Sequence, residues 1–78
     1  AGGAELDLVV SLSDELWAIE IKRSLAPKLE RGFHEACEVL SPTSRFVVYP
    51  GMEQFSLSND VIAISLPKLM KKLRSMII

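Results

Sequence analysis

Two segments near the start of the chain alternate between apolar and polar positions, as strands with one buried face do. They cover residues 5–12 and 15–23, and the polar pair Ser13-Asp14 between them suits a tight turn. The alternating apolar residues are Leu6, Leu8, Val10 and Leu12 in the first segment, and Trp17, Ile19 and Ile21 in the second. We therefore expect an antiparallel hairpin with one continuous apolar face.

The rest of the chain predicts two helices and two further strands. Apolar residues recur at helical spacing over residues 26–40, with Pro27 in the first turn, and again after Ser65, a suitable N-cap. Residues 45–49 and 61–65 are short apolar runs typical of buried strands, and residues 55–57 have a brief extended pattern. The helical apolar residues are Leu29, Phe33, Ala36, Cys37 and Leu40, then Leu66, Leu69, Met70, Leu73, Met76 and Ile77.

The element order is therefore β-β-α-β-β-α, which predicts an α/β fold with a mixed central sheet. The helix over residues 26–40 is long enough to be a crossover, so the strands at 15–23 and 45–49 are expected to be parallel neighbours. A chain of 78 residues has room for one domain, residues 1–78.

Composition excludes several classes of protein. The chain is 49% hydrophobic and has a net charge of −1, which argues against disorder and against a strongly basic nucleic-acid binder. No apolar run approaches the ~20 residues of a membrane span, so we expect no membrane partner. Cys37 is the single cysteine and forms no internal disulfide, which favours a cytoplasmic location.

The hairpin brings charged side chains together at its open end. The expected register sets Asp7 opposite Glu20 and Glu5 opposite Lys22, and side chains two apart on a strand share a face. Like charges directly opposite each other destabilise a sheet, so a cation is expected to neutralise them. Ordinary cross-strand charge pairing is the alternative interpretation of the same residues.

The residues of this hairpin resemble a known catalytic core. The pattern of Gly3, Glu5 and Asp7, with Glu20-Ile21-Lys22 closing the second strand before a helix, is similar to the PD-(D/E)XK nuclease core. More narrowly, the chain resembles the C-terminal domain, of unknown function, of bacterial and archaeal AAA-family ATPases. The stretches that carry this narrower resemblance are residues 3–9, 17–22, 45–51 and 63–67.

The resemblance implies a restriction-endonuclease-like core that lacks its first helix and first strand here. It also implies a metal-dependent nuclease-like domain acting on DNA. No G-x-x-x-x-G-K-[ST] motif is present, so the chain itself contains no ATP site of that type. The alternative function is a catalytically inactive module on the same scaffold that binds DNA or a protein.

The resemblance also assigns roles to single residues. Asp7, Glu20 and the backbone carbonyl of Ile21 would hold Mg²⁺ or Mn²⁺. Lys22 would orient water and stabilise negative charge, and Glu5 would either pair with Lys22 or act as a further metal ligand. The residues expected to contact nucleic acid are Arg23, Ser24, Lys28 and Arg31.

Simpler roles compete for several of these side chains. The basic residues also fit a solvated face, and Ser24 fits a turn or cap. His34 is expected on the polar surface of the helix, and Cys37 in the core. The absent first strand would leave an unpaired sheet edge, so we expect a homo-oligomer formed through that edge.

Overall fold

The predicted hairpin is the first element of the computed structural model, which describes residues 6–58 and 60–77. The strands and helices are β1 Leu8–Leu12, β2 Glu15–Ile21, α1 Arg31–Leu40, β3 Ser44–Val48, β4 Phe55–Ser56, β5 Val61–Ile64 and α2 Leu66–Ile77. The strands form one five-stranded sheet in the order β1-β2-β3-β5-β4. This confirms the mixed α/β fold. The predicted order β-β-α-β-β-α was incomplete, because the brief extended stretch forms a further strand, β4, between β3 and β5.

The hairpin has the expected register. Leu8 faces Ile19 and Leu12 faces Glu15 across an antiparallel ladder. Ser13 adopts the left-handed conformation that a tight turn needs, with φ of 46°. A slip by one residue would have moved every side chain of β1 to the other face, so this register decides which charges meet.

The crossover prediction is also confirmed. β2 and β3 are parallel, with Ile19 facing Phe46, and β3 is parallel to β5. The carboxyl ends of β2, β3 and β5 therefore lie at one edge of the sheet. The pairing continues past β2, because the backbone N–H of Lys22 donates to the carbonyl of Val48 at 2.8 Å.

Each face of the sheet supports one apolar cluster. The cluster under α1 consists of Ala18, Phe33, Cys37, Val47, Tyr49, Val61 and Ala63, and the cluster under α2 consists of Trp17, Ile19, Phe46, Val48, Ile64 and Leu69. Trp17 and Phe46 meet edge-to-face with ring centroids 5.1 Å apart. Trp17 and Ile19 therefore lie in the cluster under α2, and Ala18 lies in the cluster under α1, as the alternation along a strand predicts.

The first helix begins later than the sequence predicts. α1 starts at Arg31 and is preceded by Glu30 in an extended conformation, so placing Pro27 in its first turn was wrong. Pro27 disfavours a helical conformation at the residue before it, and Ser24 holds a turn there by accepting the Ala26 N–H at 3.0 Å. Leu29 packs on the α1 cluster from outside the helix.

The predicted start of the first strand was also wrong in part. Leu6 and Asp7 precede β1, and Glu5 lies outside the described residues. Leu6 packs on the α1 cluster instead of sharing the face of Leu8. A residue outside the ladder is free of the alternation that directs strand side chains.

The apolar stripe of α2 is buried along one side alone. Leu69 is buried and Leu73 packs against the core, whereas Leu66, Met70, Met76 and Ile77 are exposed. Ser65 caps the helix as predicted, since its Oγ accepts the Lys68 N–H at 3.4 Å. Among the described residues, neither helix has the length and apolar character needed to cross a bilayer.

Candidate metal centre

The candidate site lies at the open end of the hairpin, where β2 ends and β1 begins. Asp7 directly precedes β1, and its Oδ2 accepts the backbone N–H of Ile21 at 2.8 Å. The side chain of Asp7 therefore continues the hairpin ladder beyond the last strand pair. This hydrogen bond fixes the Asp7 carboxylate beside β2.

Glu20 faces the same side as Asp7, as the sequence predicts. The two carboxyl groups lie close enough for the charge of Asp7 to act on Glu20. Asp7 is exposed, whereas Glu20 is buried, with 8% of its surface accessible. Among the described residues, Glu20 alone is both buried and polar or charged. The site thus holds one open and one covered carboxyl group.

The environment of Glu20 disfavours its charged form. Burial raises the pKa of Glu20 above its ordinary value of 4.5, and the charge and hydrogen bond of Asp7 raise it further. The positive charge of Lys22 and the Asp7 N–H oppose this shift. The carboxyl pair therefore retains a proton to a higher pH than an isolated glutamate unless a cation compensates it.

Lys22 joins the same cluster. Its Nζ lies 3.8 Å from Oε2 of Glu20 and 4.0 Å from Oε1 of Glu30, and 23% of its side chain is exposed. Glu30 was not predicted to belong to the site. It reaches Lys22 because it occupies the extended position just before α1, which depends on the late start of that helix.

The side chains present fit a cation that keeps several non-protein ligands. Within residues 6–58 and 60–77, no group of three or more His, Cys, Asp or Glu residues is placed to hold a metal ion. Mg²⁺ is commonly held by one or two carboxylates and completes its shell with water and phosphate oxygens. Asp7 and Glu20 match that requirement, while the roles of the Ile21 carbonyl and of Glu5, which lies outside the described residues, stay predictions.

The residues expected to contact nucleic acid lie on the segment that leads away from this site. Arg23, Lys28 and Arg31 are exposed, and Arg31 pairs with Glu35 one helical turn later at 3.5 Å. Ser24 holds the turn described above, which is the simpler of its two predicted roles. Their contact with nucleic acid stays a prediction.

The other two candidate side chains, His34 and Cys37, line a cavity whose lining does not include Asp7 or Glu20. Cys37 is fully buried, as predicted, and burial raises the pKa of its thiol. His34 is half-buried and packs edge-on against Phe33 with ring centroids 5.9 Å apart. Both residues line a cavity of about 400 Å³ with Glu38, Ser41 and Arg45.

Comparison with known proteins identifies the family. The sequence pattern of the domain of unknown function DUF4143 matches residues 1–69, and the chain therefore belongs to the DUF4143 family. It is 41% identical over 61 residues to uncharacterized protein Mb2031c of Mycobacterium bovis and equally to uncharacterized protein Rv2008c of Mycobacterium tuberculosis. The aligned stretch covers 78% of this chain and 14% of each relative. No solved structure matches the chain.

Proposed function

We propose that this DUF4143 domain is a metal-dependent, nuclease-like domain that acts on DNA, with its cation site at Asp7 and Glu20. The observation that supports this proposal is the placement of two carboxyl groups, one just before β1 and one in β2, close enough together that Asp7 raises the pKa of Glu20. The strand pairing and the Ile21 N–H hold the groups in contact although they are thirteen residues apart in the chain.

The energetics of the pair favour a bound cation at neutral pH. Two adjacent carboxylates repel each other, and the partial burial of Glu20 adds a desolvation cost to its charged form. The pair relieves this cost by sharing a proton or by binding a cation. A divalent ion carries two positive charges and replaces the proton as pH rises, so metal binding and deprotonation of Glu20 are linked.

The carboxyl pair and Lys22 would have different roles in hydrolysing a phosphodiester bond. A divalent ion held by Asp7 and Glu20 would polarise the phosphate and lower the pKa of a water molecule. Lys22, held between Glu20 and Glu30, supplies a fixed positive charge for the negative charge that develops during the reaction. Asp7 is the exposed ligand and therefore faces the substrate side.

We further propose that the fold is a restriction-endonuclease-like core and that the parent protein carries an AAA-family ATPase segment. The antiparallel hairpin, the crossover helix and the parallel strand after it support the core assignment. The relatives extend far beyond the aligned stretch, which leaves room for a further domain.

The edge of the sheet at β1 favours a second copy of the chain as a partner. Strand β1 is an outer strand, and the alternation of its ladder directs the backbone groups of Val9 and Ser11 away from β2. Its five residues include no charge and no proline, the usual protections of an exposed edge. Sedimentation of the chain as a monomer at high micromolar concentration would argue against this pairing.

Cleavage of supercoiled plasmid and branched DNA with Mg²⁺ tests the proposed activity. The wild-type chain should cut, and Lys22→Ala should lower the rate by roughly 10²-fold or more, because the developing charge loses its fixed partner. Asp14→Asn, at the far end of the hairpin, is the matched control and should retain full activity. Equal cutting by Lys22→Ala and wild type would place the activity in another site or in a contaminant, and metal binding without cutting would favour the inactive DNA- or protein-binding module.

A further inference from the structure

Helix α2 concentrates positive charge on one side of a chain that is otherwise acidic. Residues 66–77 contain three lysines, one arginine and no acidic residue, whereas the rest of the chain has five basic and ten acidic side chains. The charge of the whole chain, −1, therefore conceals a local surface of opposite sign.

The lysines of α2 lie on its solvent-facing side. Lys68, Lys71, Lys72 and Ser75 follow the spacing of one helical face, and all four are exposed. With Gln54 they are the polar residues that line an open cavity of about 310 Å³, which the buried Ile64 also lines. We call these five residues the α2 basic face.

The three lysines of this face form no ion pair with another described residue. Within the described ranges, none of the three lysines lies within ion-pair distance of a carboxylate. A neighbouring cavity of about 270 Å³ shares Gln54 and Lys72 with the α2 basic face and is also lined by Arg45 and by the acidic Asp60. Like charges at this spacing on a helix repel each other, so a polyanion bound there would relieve an unfavourable arrangement.

We propose that the α2 basic face binds the phosphate backbone of duplex DNA. From Lys68 to Lys72 the helix rises about 6 Å, and one DNA strand presents a phosphate roughly every 3.4 Å along the axis, so two or three neighbouring phosphates lie within reach of the three lysines. Gln54 adds a neutral amide donor to the same surface, whereas the Ser75 hydroxyl donates to the Lys72 carbonyl at 2.7 Å. These side chains would contact the phosphate backbone of the DNA and would not distinguish one base sequence from another.

Two features of the face favour duplex DNA over other polyanions. The face contains no aromatic side chain, whereas binding of single strands relies on bases stacked against aromatic rings. A lipid surface would require the apolar side of the helix, where Leu69 is buried and Leu73 packs on the core. The exposed apolar residues of α2 are Leu66, Met70, Met76 and Ile77, and the vesicle measurement below tests this alternative partner.

The proposal does not depend on the cation site. α2 packs on the face of the sheet opposite α1, and the carboxyl pair faces α1. Binding is therefore measured in EDTA, where cleavage does not occur and the cation site has no metal.

The test is fluorescence anisotropy of a labelled duplex of mixed sequence with the 78-residue chain, over KCl concentrations from about 50 to 200 mM. The triple variant K68Q/K71Q/K72Q should bind at least about 10-fold more weakly at the lowest salt, and its salt slope should be smaller by about three. The triple variant K68R/K71R/K72R keeps the charges and should bind as wild type does. Helical content is compared by circular dichroism, since glutamine and lysine have similar helix propensities.

A second variant separates a local surface from total charge. Adding D14N, E38Q and E53Q to the glutamine triple variant restores the wild-type net charge of −1 without restoring the α2 lysines. Its binding should stay weak. Recovery of binding in this variant, unchanged binding by the glutamine triple variant, absence of wild-type binding, or tighter binding to single strands or to anionic phosphatidylserine vesicles would each overturn the proposal.

Discussion

The Asp7 carboxylate accepts the backbone N–H of Ile21 at 2.8 Å, in the place where the next residue of β1 would accept it in a longer ladder. This one contact ends the strand and also sets a charged side chain beside Glu20. A carboxylate that accepts a backbone N–H is held more firmly than a solvated one, because charge-assisted hydrogen bonds are the stronger kind. The local structure of the hairpin end and the candidate site are therefore built by the same hydrogen bond.

The stability of the metal-free chain should depend on pH through Glu20. Its folded pKa is raised above 4.5, so its protonated form favours folding below that pH, and this contribution is lost as pH rises through the folded pKa. Glu20→Gln mimics the protonated form and should remove the loss. The free energy of unfolding of the variant should exceed that of wild type increasingly above pH 4.5, by about 1.4 kcal/mol for each unit of pKa shift.

Urea denaturation in EDTA at a series of pH values measures this difference. Repeating the series with Mg²⁺ should reverse the order at neutral pH, because a cation bound to the ionised pair stabilises wild type alone. Parallel pH profiles for the two proteins in EDTA would show that the carboxyl pair does not couple to folding.

Thr43 should contribute to stability by joining β2 to the start of β3. Its Oγ1 accepts the Leu16 N–H at 2.8 Å and lies 3.0 Å from the Leu16 carbonyl, and its own N–H donates to that carbonyl at 2.8 Å. Thr43→Val removes the hydroxyl bonds and should cost about 1 kcal/mol in free energy of unfolding. Thr43→Ser keeps the hydroxyl and should lie closer to wild type than the valine variant does.

Gly51 should not tolerate a side chain, because the ring of Tyr49 occupies the space beside it. A Cβ at position 51 would lie 2.2 Å from Cε2 of Tyr49, whose hydroxyl donates to the carbonyl of Glu53. Gly51→Ala should therefore displace the buried ring and destabilise the chain by about 1–3 kcal/mol. Met52→Ala, at an exposed neighbour, is the control, and equal melting temperatures for both variants would contradict this account.

The sequence predicts the hairpin end well because two independent signals agree there. The alternation of apolar residues and the short turn at Ser13-Asp14 allow one register, and that register brings Asp7 to Glu20. Glu30 could not be predicted in the same way. Its approach to Lys22 depends on where α1 begins, and Pro27 fits a first helical turn as well as it fits an extended segment.

The sequence pattern also could not predict which apolar residues of α2 are exposed. The apolar stripe from Leu66 to Ile77 indicates which side of the helix packs on the sheet. It does not indicate how many residues of that stripe the sheet covers. Here Leu69 and Leu73 meet the sheet, while Met70 and Ile77 do not. Which apolar residues are covered depends on how the helix is placed on the sheet, which is a tertiary property.

Isothermal titration calorimetry with Mg²⁺ or Mn²⁺ tests the central claim most directly, comparing wild type, Asp7→Asn and the turn variant Asp14→Asn. Asparagine at position 7 keeps an oxygen for the Ile21 N–H and removes the charge, so it separates metal binding from the fold of the hairpin. We predict one site with millimolar or tighter affinity in wild type and in Asp14→Asn, and no measurable binding in Asp7→Asn. Absence of binding by wild type at millimolar metal, or equal affinity in Asp7→Asn, would contradict the proposed cation site.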